Sequence, residues 1–213
     1  MARNQVEAMG RLGFDAFFVA GHDRGGRCAC RMALDHPERV RRLAVLDVVP
    51  TGEALARVDL AFGLGYWHWF FLAQPAPLPE KLIAGDPDAF FSFGGALGLG
   101  SDEEHYPPEV MAAYRRALHD PATVHAMCED YRAGASIDRK HDEADRGRHR
   151  IACPLLALWG ARGKLDEWYD VLAIWGEWAA DVRGRSVDAS HFLVEDRPEE
   201  VAEELRRFFL DLA

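Results

Sequence analysis

Cysteine is scarce and unpatterned: Cys28, Cys30, Cys128 and Cys153 are the four in 213 residues, and no two stand in C-x-x-C spacing. Reduced, mostly buried thiols in a cytoplasmic chain are therefore expected. Long apolar runs are missing as well. The most apolar stretch, residues 62–78, is cut by His68, Gln74 and two prolines, too short and interrupted to span a bilayer. The opening segment, residues 1–12, is polar and helix-like, so a signal peptide is not expected there. Positive charge is in deficit, with 25 Lys and Arg against 35 Asp and Glu and a net charge of −10. That balance disfavours nucleic acid and anionic membranes as partners, although a local basic pocket can still hold an anion. Repeats, low-complexity tracts and long charge runs are also lacking. What is present, 49% hydrophobic and 28% charged residues, is ordinary globular usage and excludes wholesale disorder. The length corresponds to about 1.4 domains at roughly 150 residues each. A chain of that size buries a full core without a disulfide or metal staple.

The hydrophobic pattern predicts alternating helices and strands at both ends. Residues 3–12 are helix-compatible and stop at Gly13, and the apolar, aromatic run 14–20 is strand-like. Residues 21–26 read as a tight turn, 27–36 as a helix stopping before Pro37, and 43–46 as a buried strand ending at Asp47. Helix, strand, helix, strand is a parallel α/β signature. Residues 50–149 change character: rich in Trp, Phe, His and Pro, without a clear β run, they read as a helical insertion or as a helical bundle domain. The clearest helices there are 112–118 and 123–135. The α/β pattern returns with a strand at 154–159 closed by Gly160, a helix at 169–178 and a weak strand at 183–187. An amphipathic helix over 198–212 follows, with Val201, Leu205, Phe208, Phe209 and Leu212 on its inner face. The expected organisation is an α/β core from 1–49 and 150–213, with a helical cap from 50–149.

The sharpest local signal is Gly21-His22-Asp23-Arg24-Gly25-Gly26, placed between a strand and a helix. Its skeleton is G-x-nucleophile-x-G, in which flanking glycines let strand and helix approach and a strained residue is pushed out at the top of the sheet. The raised residue is an aspartate. A carboxylate attacks saturated carbon, and the resulting ester is then cleaved at its own carbonyl by water. A bland turn is the competing reading; a phosphate loop requires G-x-G-x-x-G or G-x-x-x-x-G-K, and neither is present. Ester hydrolysis needs a base. Of the nine histidines, His191 stands out because it follows the last strand-like segment and precedes the final helix. A surface-loop histidine is its ordinary alternative. The base needs a carboxylate to fix its tautomer, and Asp47 and Asp166 both qualify, each also being a possible cap or turn residue.

Together these residues resemble the α/β-hydrolase superfamily, and within it the haloacetate (fluoroacetate) dehalogenases. The resemblance is carried by Gly21-His22-Asp23-Arg24-Gly25-Gly26-Arg27, Ala33-Leu34-Asp35-His36-Pro37, Leu46-Asp47, Tyr66-Trp67-His68-Trp69, Asp130-Tyr131-Arg132-Ala133 and Ser190-His191-Phe192, and it covers essentially the whole chain. It implies that Arg24 and Arg27, three apart at the start of a helix, clamp a small carboxylate beside the nucleophile, aided by the helix dipole. It also implies that His68, Trp69 and Tyr131 donate hydrogen bonds to the departing halide. By themselves, those three would read as core packing. The implied catalytic set is Asp23, Asp47 and His191, with no metal or organic cofactor, a small haloacid substrate, no nucleic-acid or membrane partner, and a homodimer as in many relatives.

Two departures from the family pattern stand out. Gly160-Ala161-Arg162-Gly163 carries no acid where many superfamily members have one, which favours Asp47 over Asp166. The first quarter to third of the usual fold, about four strands and the loop that donates the second oxyanion N–H, is not found. Only the elbow-side donor, the N–H of Arg24, is expected, and Phe17, Phe18 and Val19 are expected at a sheet edge, an aggregation hazard if left uncovered. Epoxide or ester hydrolysis on the same fold, and a non-catalytic remnant, are the alternatives to a dehalogenase.

Overall fold

The computed structural model describes residues 1–93 and 106–211, so Leu212 of the expected inner face lies outside them. The chain divides into two compact units, one of Met1–Glu53 with Asp142–Ala213 and one of Ala54–His141.

The first unit is built on α1 (Ala2–Arg11), β1 (Phe17–His22), α2 (Arg24–Asp35) and β2 (Val40–Leu46). Strand β1 starts three residues later than the apolar run predicts. The Phe14 N–H bonds the Met9 carbonyl and closes α1, and the ladder opens only where the Phe17 N–H reaches the carbonyl of Arg39. The turn expected over 21–26 shrinks to one residue, because β1 runs through His22 and α2 begins at Arg24. The helices α3 (Thr51–Ala56), α4 (Leu60–Gly65), α5 (Trp67–Leu72), α6 (Leu78–Gly85), α7 (Pro87–Phe93), α8 (Pro108–His119) and α9 (Pro121–Ala133) come next. A π-helical turn at Gly134–Asp138 leads into α10 (Arg139–Asp145). The first unit then resumes with β3 (Leu155–Gly160), α11 (Lys164–Trp168), α12 (Val171–Trp178), β4 (Val182–Val187), α13 (Leu193–Asp196) and α14 (Pro198–Leu210).

The four strands form one parallel sheet in the order β1-β2-β3-β4. Strands β2 and β3 lie in its middle, and Leu43, Ala44, Val45, Leu155, Ala157 and Leu158 are all at most 1% exposed. Burial on both faces explains why these strands read as continuous apolar runs. One face carries Ala44, Leu46, Leu156, Leu158 and Val187 against Leu193, Val201 and Phe208, with Leu205 and Phe209 half-buried beside them. Helix α2 packs on β1 and β2, and α12 on β3 and β4. On β1, Phe18 is exposed but its ring stacks on Phe209 at 5.3 Å.

The register aligns the carboxyl ends. His22 pairs with Leu46, Leu46 with Leu158, and Gly160 with Val187, so the chain leaves all four strands at one end of the sheet. Ligands of open α/β sheets gather at that end. The boundary between the units falls at 53/54 and 141/142, several residues inside the expected 49/50 and 149/150. Side-chain ties account for the difference. Asp142 accepts the Gly52 N–H at 2.8 Å, Arg31 pairs with Asp145 at 2.7 Å, and Arg146 pairs with the buried Glu53 at 2.9 Å. Glu53 also accepts the Trp178 indole N–H at 3.1 Å.

The second unit is helical, and among its described residues there is no strand. Helix α5 packs on α9, α6 on α9, and α7 on α8. Among the described residues no helix is long and apolar enough to cross a membrane.

Candidate functional site

Asp23 occupies the one-residue joint between β1 and α2, with φ 47° and ψ −117°. That conformation is sparsely populated for a residue with a side chain and costs on the order of 1–3 kcal/mol, so the surroundings must impose it. They do so through Gly21. A Cβ there would sit 2.4 Å from the carbonyl oxygen of Gly25, so only glycine permits strand and helix to cross this closely. The Asp23 N–H bonds the Leu46 carbonyl at 3.1 Å, and its own carbonyl accepts the first helical bond, from Arg27, at 3.2 Å. The carboxylate is therefore held at the sheet end, with its side chain 34% exposed.

Asp47, the residue after β2, also has positive φ, 48°. Its side chain is buried. Oδ1 accepts the Gly160 N–H at 2.8 Å and Oδ2 lies 2.6 Å from His191 Nδ1. A carboxylate only accepts, so His191 presents Nδ1–H to it and leaves Nε2 as the basic nitrogen. That Nε2 is 3.9 Å from Asp23 Oδ2. Three groups expected from the sequence thus stand in a row, carboxylate, imidazole, carboxylate, on three different strand ends. Asp166, the other candidate acid, is engaged elsewhere, accepting the Trp159 indole N–H at 2.6 Å.

His191 lies in the turn between β4 and α13. Ser190 and Ala189 can press against β3 only because residue 160 lacks a side chain; a Cβ there would be 2.1 Å from the Ser190 carbonyl oxygen. In the sequence Gly160 marks merely the close of a strand. No local signal marks its second role, which comes from a loop thirty residues on.

The electrostatics are mutual. Burial pushes the Asp23 carboxyl up, but His191, Arg27, His22 and Arg24 outweigh it and hold the pKa below the ordinary 3.8. Burial likewise lowers His191, yet the Asp47 bond and the charge of Asp23 carry it above 6.5. Asp23 is thereby kept ionised at neutral pH, the form needed for nucleophilic attack.

Both arginines sit in the first turn of α2. Arg27 is tethered, its Nη1 donating to the Val49 carbonyl and to Thr51 Oγ1, each at 3.0 Å. Thr51 was not singled out in the sequence. His22, present in the hexamer but given no role there, places Nε2 2.8 Å from the backbone carbonyl oxygen of His191.

In the second unit, α5 contributes His68 and Trp69 and α9 contributes Tyr131, all three buried. The His68 and Tyr131 rings lie 5.8 Å apart edge to face, and those of Trp69 and Tyr131 6.2 Å apart. Among the described residues, Glu80, His125 and Glu129 form the one group with metal-ligand spacing. Both of its carboxylates are already engaged by Arg132, at 2.9 and 2.6 Å.

Comparison with known proteins adds an independent line. The alpha/beta hydrolase fold family matches residues 1–198. A fluoroacetate dehalogenase of Burkholderia sp is 43% identical over 99% of this chain and 69% of its own length. A soluble epoxide hydrolase of Corynebacterium sp. (strain C12) is 28% identical over 100% of this chain and 73% of its own. The crystal structure of ALR0039 from Nostoc sp PCC 7120 superposes with a TM-score of 0.91 at 46% identity, covering 98% of this chain and 71% of that one. With a parallel sheet, a strained acid between β1 and α2, and an imidazole reaching it from the last strand end, the chain belongs to the alpha/beta hydrolase fold family.

Proposed function

We propose that the protein is a haloacetate dehalogenase, hydrolysing the carbon–halogen bond of fluoroacetate or chloroacetate to glycolate and halide. The observation that carries the reading is the Asp23 carboxylate on the elbow, with His191 Nε2 3.9 Å away and His191 backed by Asp47 at 2.6 Å. In the first half-reaction an Asp23 oxygen attacks the halogen-bearing carbon in line, the carbon–halogen bond breaks, and halide leaves with the electron pair. In the second, His191 takes a proton from water as its oxygen adds to the Asp23 ester carbonyl. Collapse of the tetrahedral intermediate breaks the bond between the ester oxygen and the acyl carbon. The leaving alkoxide takes the proton back from His191 to become glycolate, and Asp23, now holding one oxygen from water, gives the remaining water proton to solvent by way of His191 and is again a carboxylate. The Arg24 N–H, at the α2 N-terminus where helical amides have no intrahelical acceptor, is the oxyanion donor in this scheme.

Arg24 and Arg27 are assigned to the substrate carboxylate. Their place in the first turn of α2 and their pull on Asp23 support this. His68, Trp69 and Tyr131 are assigned to the departing halide, supported by their clustering as buried N–H and O–H donors within the second unit. The 43% identity to the Burkholderia fluoroacetate dehalogenase supports the substrate class.

An epoxide is the second substrate class to test, because an aspartate ester would serve it equally and the Corynebacterium relative is an epoxide hydrolase. The test is halide release from fluoroacetate and chloroacetate beside diol formation from styrene oxide, with Asp23→Ala as control. Halide release that Asp23→Ala abolishes is expected. Diol formation without halide release would overturn the reading.

A further inference from the structure

We propose that His22 is a positioning residue, holding the His191 base in register with Asp23 through its ring N–H on the His191 carbonyl. The inference rests on the aspartyl-ester reading above and concerns its second half-reaction.

A backbone carbonyl only accepts, so the 2.8 Å contact requires a proton on His22 Nε2. In the neutral ring Nδ1 is then bare. The His191 side chain is fixed by Asp47 at Nδ1, but that bond alone leaves the main chain of residue 191 free to tilt about it. Neighbouring ties secure the residues before it: the Ala189 carbonyl accepts the Arg162 N–H at 3.0 Å, and the Ser190 N–H donates to Asp196 at 2.7 Å. His22 secures residue 191 itself, from a strand 169 positions away.

The anchor is joined to the nucleophile by one peptide bond. Whatever fixes the end of β1 therefore fixes both Asp23 and the point from which His191 is held. The gap of 3.9 Å between His191 Nε2 and Asp23 Oδ2 exceeds a direct hydrogen bond and is the space in which a water must be activated against the ester. An error of about 1 Å in such a gap costs on the order of 10²-fold in rate.

The two rings also lie against each other, 4.7 Å apart and tilted by 39°. Each time His191 takes up a proton, a cation forms beside His22. Burial first, and the His191 charge second, lower the His22 pKa below 6.5, with the hydrogen bond to the His191 carbonyl and then the charges of Asp23 and Asp47 opposing. Near pH 7 the ring beside the base is therefore mainly neutral, and its N–H lies on the carbonyl.

The test compares His22→Phe, which keeps a ring but removes the donor, with His22→Gln, whose amide N–H reaches a similar point. Chloroacetate is the substrate, and His191→Asn is run in parallel. With His22→Phe, kcat should fall roughly 10- to 100-fold while kcat/KM, which reports alkylation, stays within about twofold. Mass spectrometry should find Asp23 carboxymethylated at steady state, and His22→Gln should restore most of kcat. A purely structural role would lower kcat and kcat/KM together, in both variants and without ester, and that pattern would overturn the proposal. So would wild-type kcat in His22→Phe. Nitrogen-15 spectra of the wild-type histidines supply a readout independent of substrate: His22 should be the Nε2–H tautomer near pH 7, and an Nδ1–H tautomer refutes the inference by itself. If neither wild type nor His191→Asn ever forms the ester, the dehalogenase reading fails, and this inference falls with it.

Discussion

In the mechanism proposed above, the proton on His191 decides which half-reaction runs. As a base, His191 must be neutral, and its pKa lies above 6.5 because Asp47 and Asp23 outweigh the effect of burial. In the ester the Asp23 charge is gone while the Asp47 bond remains, so steady-state turnover should fall as acid protonates His191, at a lower pH than in the free enzyme. Asp23 remains ionised well below that, its carboxyl held under 3.8 by His191 and the two arginines against burial. A halide burst of about one per site should consequently survive at an acid pH that stops turnover, as rapid-quench halide assay can measure. The same shifts set the linkage to stability. The raised His191 pKa contributes stability that is complete below pH 6.5 and disappears as pH rises through the folded value. The lowered Asp23 pKa contributes stability present above pH 3.8 and lost as pH falls through its own. Asp47→Asn removes the group that fixes the imidazole tautomer. Its kcat should drop by roughly 10²–10⁴, with the acid limb moved to lower pH. A kcat within a few-fold of wild type would show that some other group orients His191.

At the scale of elements, the site depends on two places where a side chain will not fit. Gly21→Ala would place a Cβ 2.4 Å from the Gly25 carbonyl oxygen, forcing β1 and α2 apart at the Asp23 joint. A loss of about 1–3 kcal/mol is expected from such overpacking, read as a lower thermal midpoint. Gly160→Ala would press on the Ser190 carbonyl from 2.1 Å and displace the turn that presents His191. The expected result is a kcat reduced about 10²-fold with far-UV circular dichroism unchanged. These two glycines also mark what a sequence can disclose. The elbow is a local pattern, so Gly21 and Asp23 are legible within six residues, although α2 begins at Arg24, three residues before the helix the sequence predicts. The partnership of Asp47 with His191 spans 144 positions and depends on the pairing of β2 with β3. From the residues alone Asp166 fitted equally well, until a family pattern favoured Asp47. Gly160, His22 and Thr51 gave no signal, because each acts through a contact made only when distant strands meet. The start of β1 was misplaced for the opposite reason: Phe14 continues the apolar run, yet its amide caps α1.

At the scale of the whole molecule, a sheet domain is interrupted by a helical unit, and the chain leaves and re-enters the first unit through a charged frame. Glu53 is 1% exposed between the Trp178 indole and Arg146. Glu53→Ala would leave a buried indole N–H without its acceptor and should cost about 1–3 kcal/mol. For a chain of this length that is a fall in thermal midpoint of about 2–4 °C per kcal/mol, checked by calorimetry. An unchanged midpoint would mean that the frame is not where the first unit is closed. The chemistry assigned to that unit reduces to one covalent bond, and the most direct measurement looks for it. The full chain carrying His191→Asn is incubated with chloroacetate, digested and mapped by mass spectrometry. The expected result is a single carboxymethyl group on Asp23, with one halide released per chain and no further turnover. An unmodified Asp23 together with continuing halide release would contradict both the nucleophile and the base.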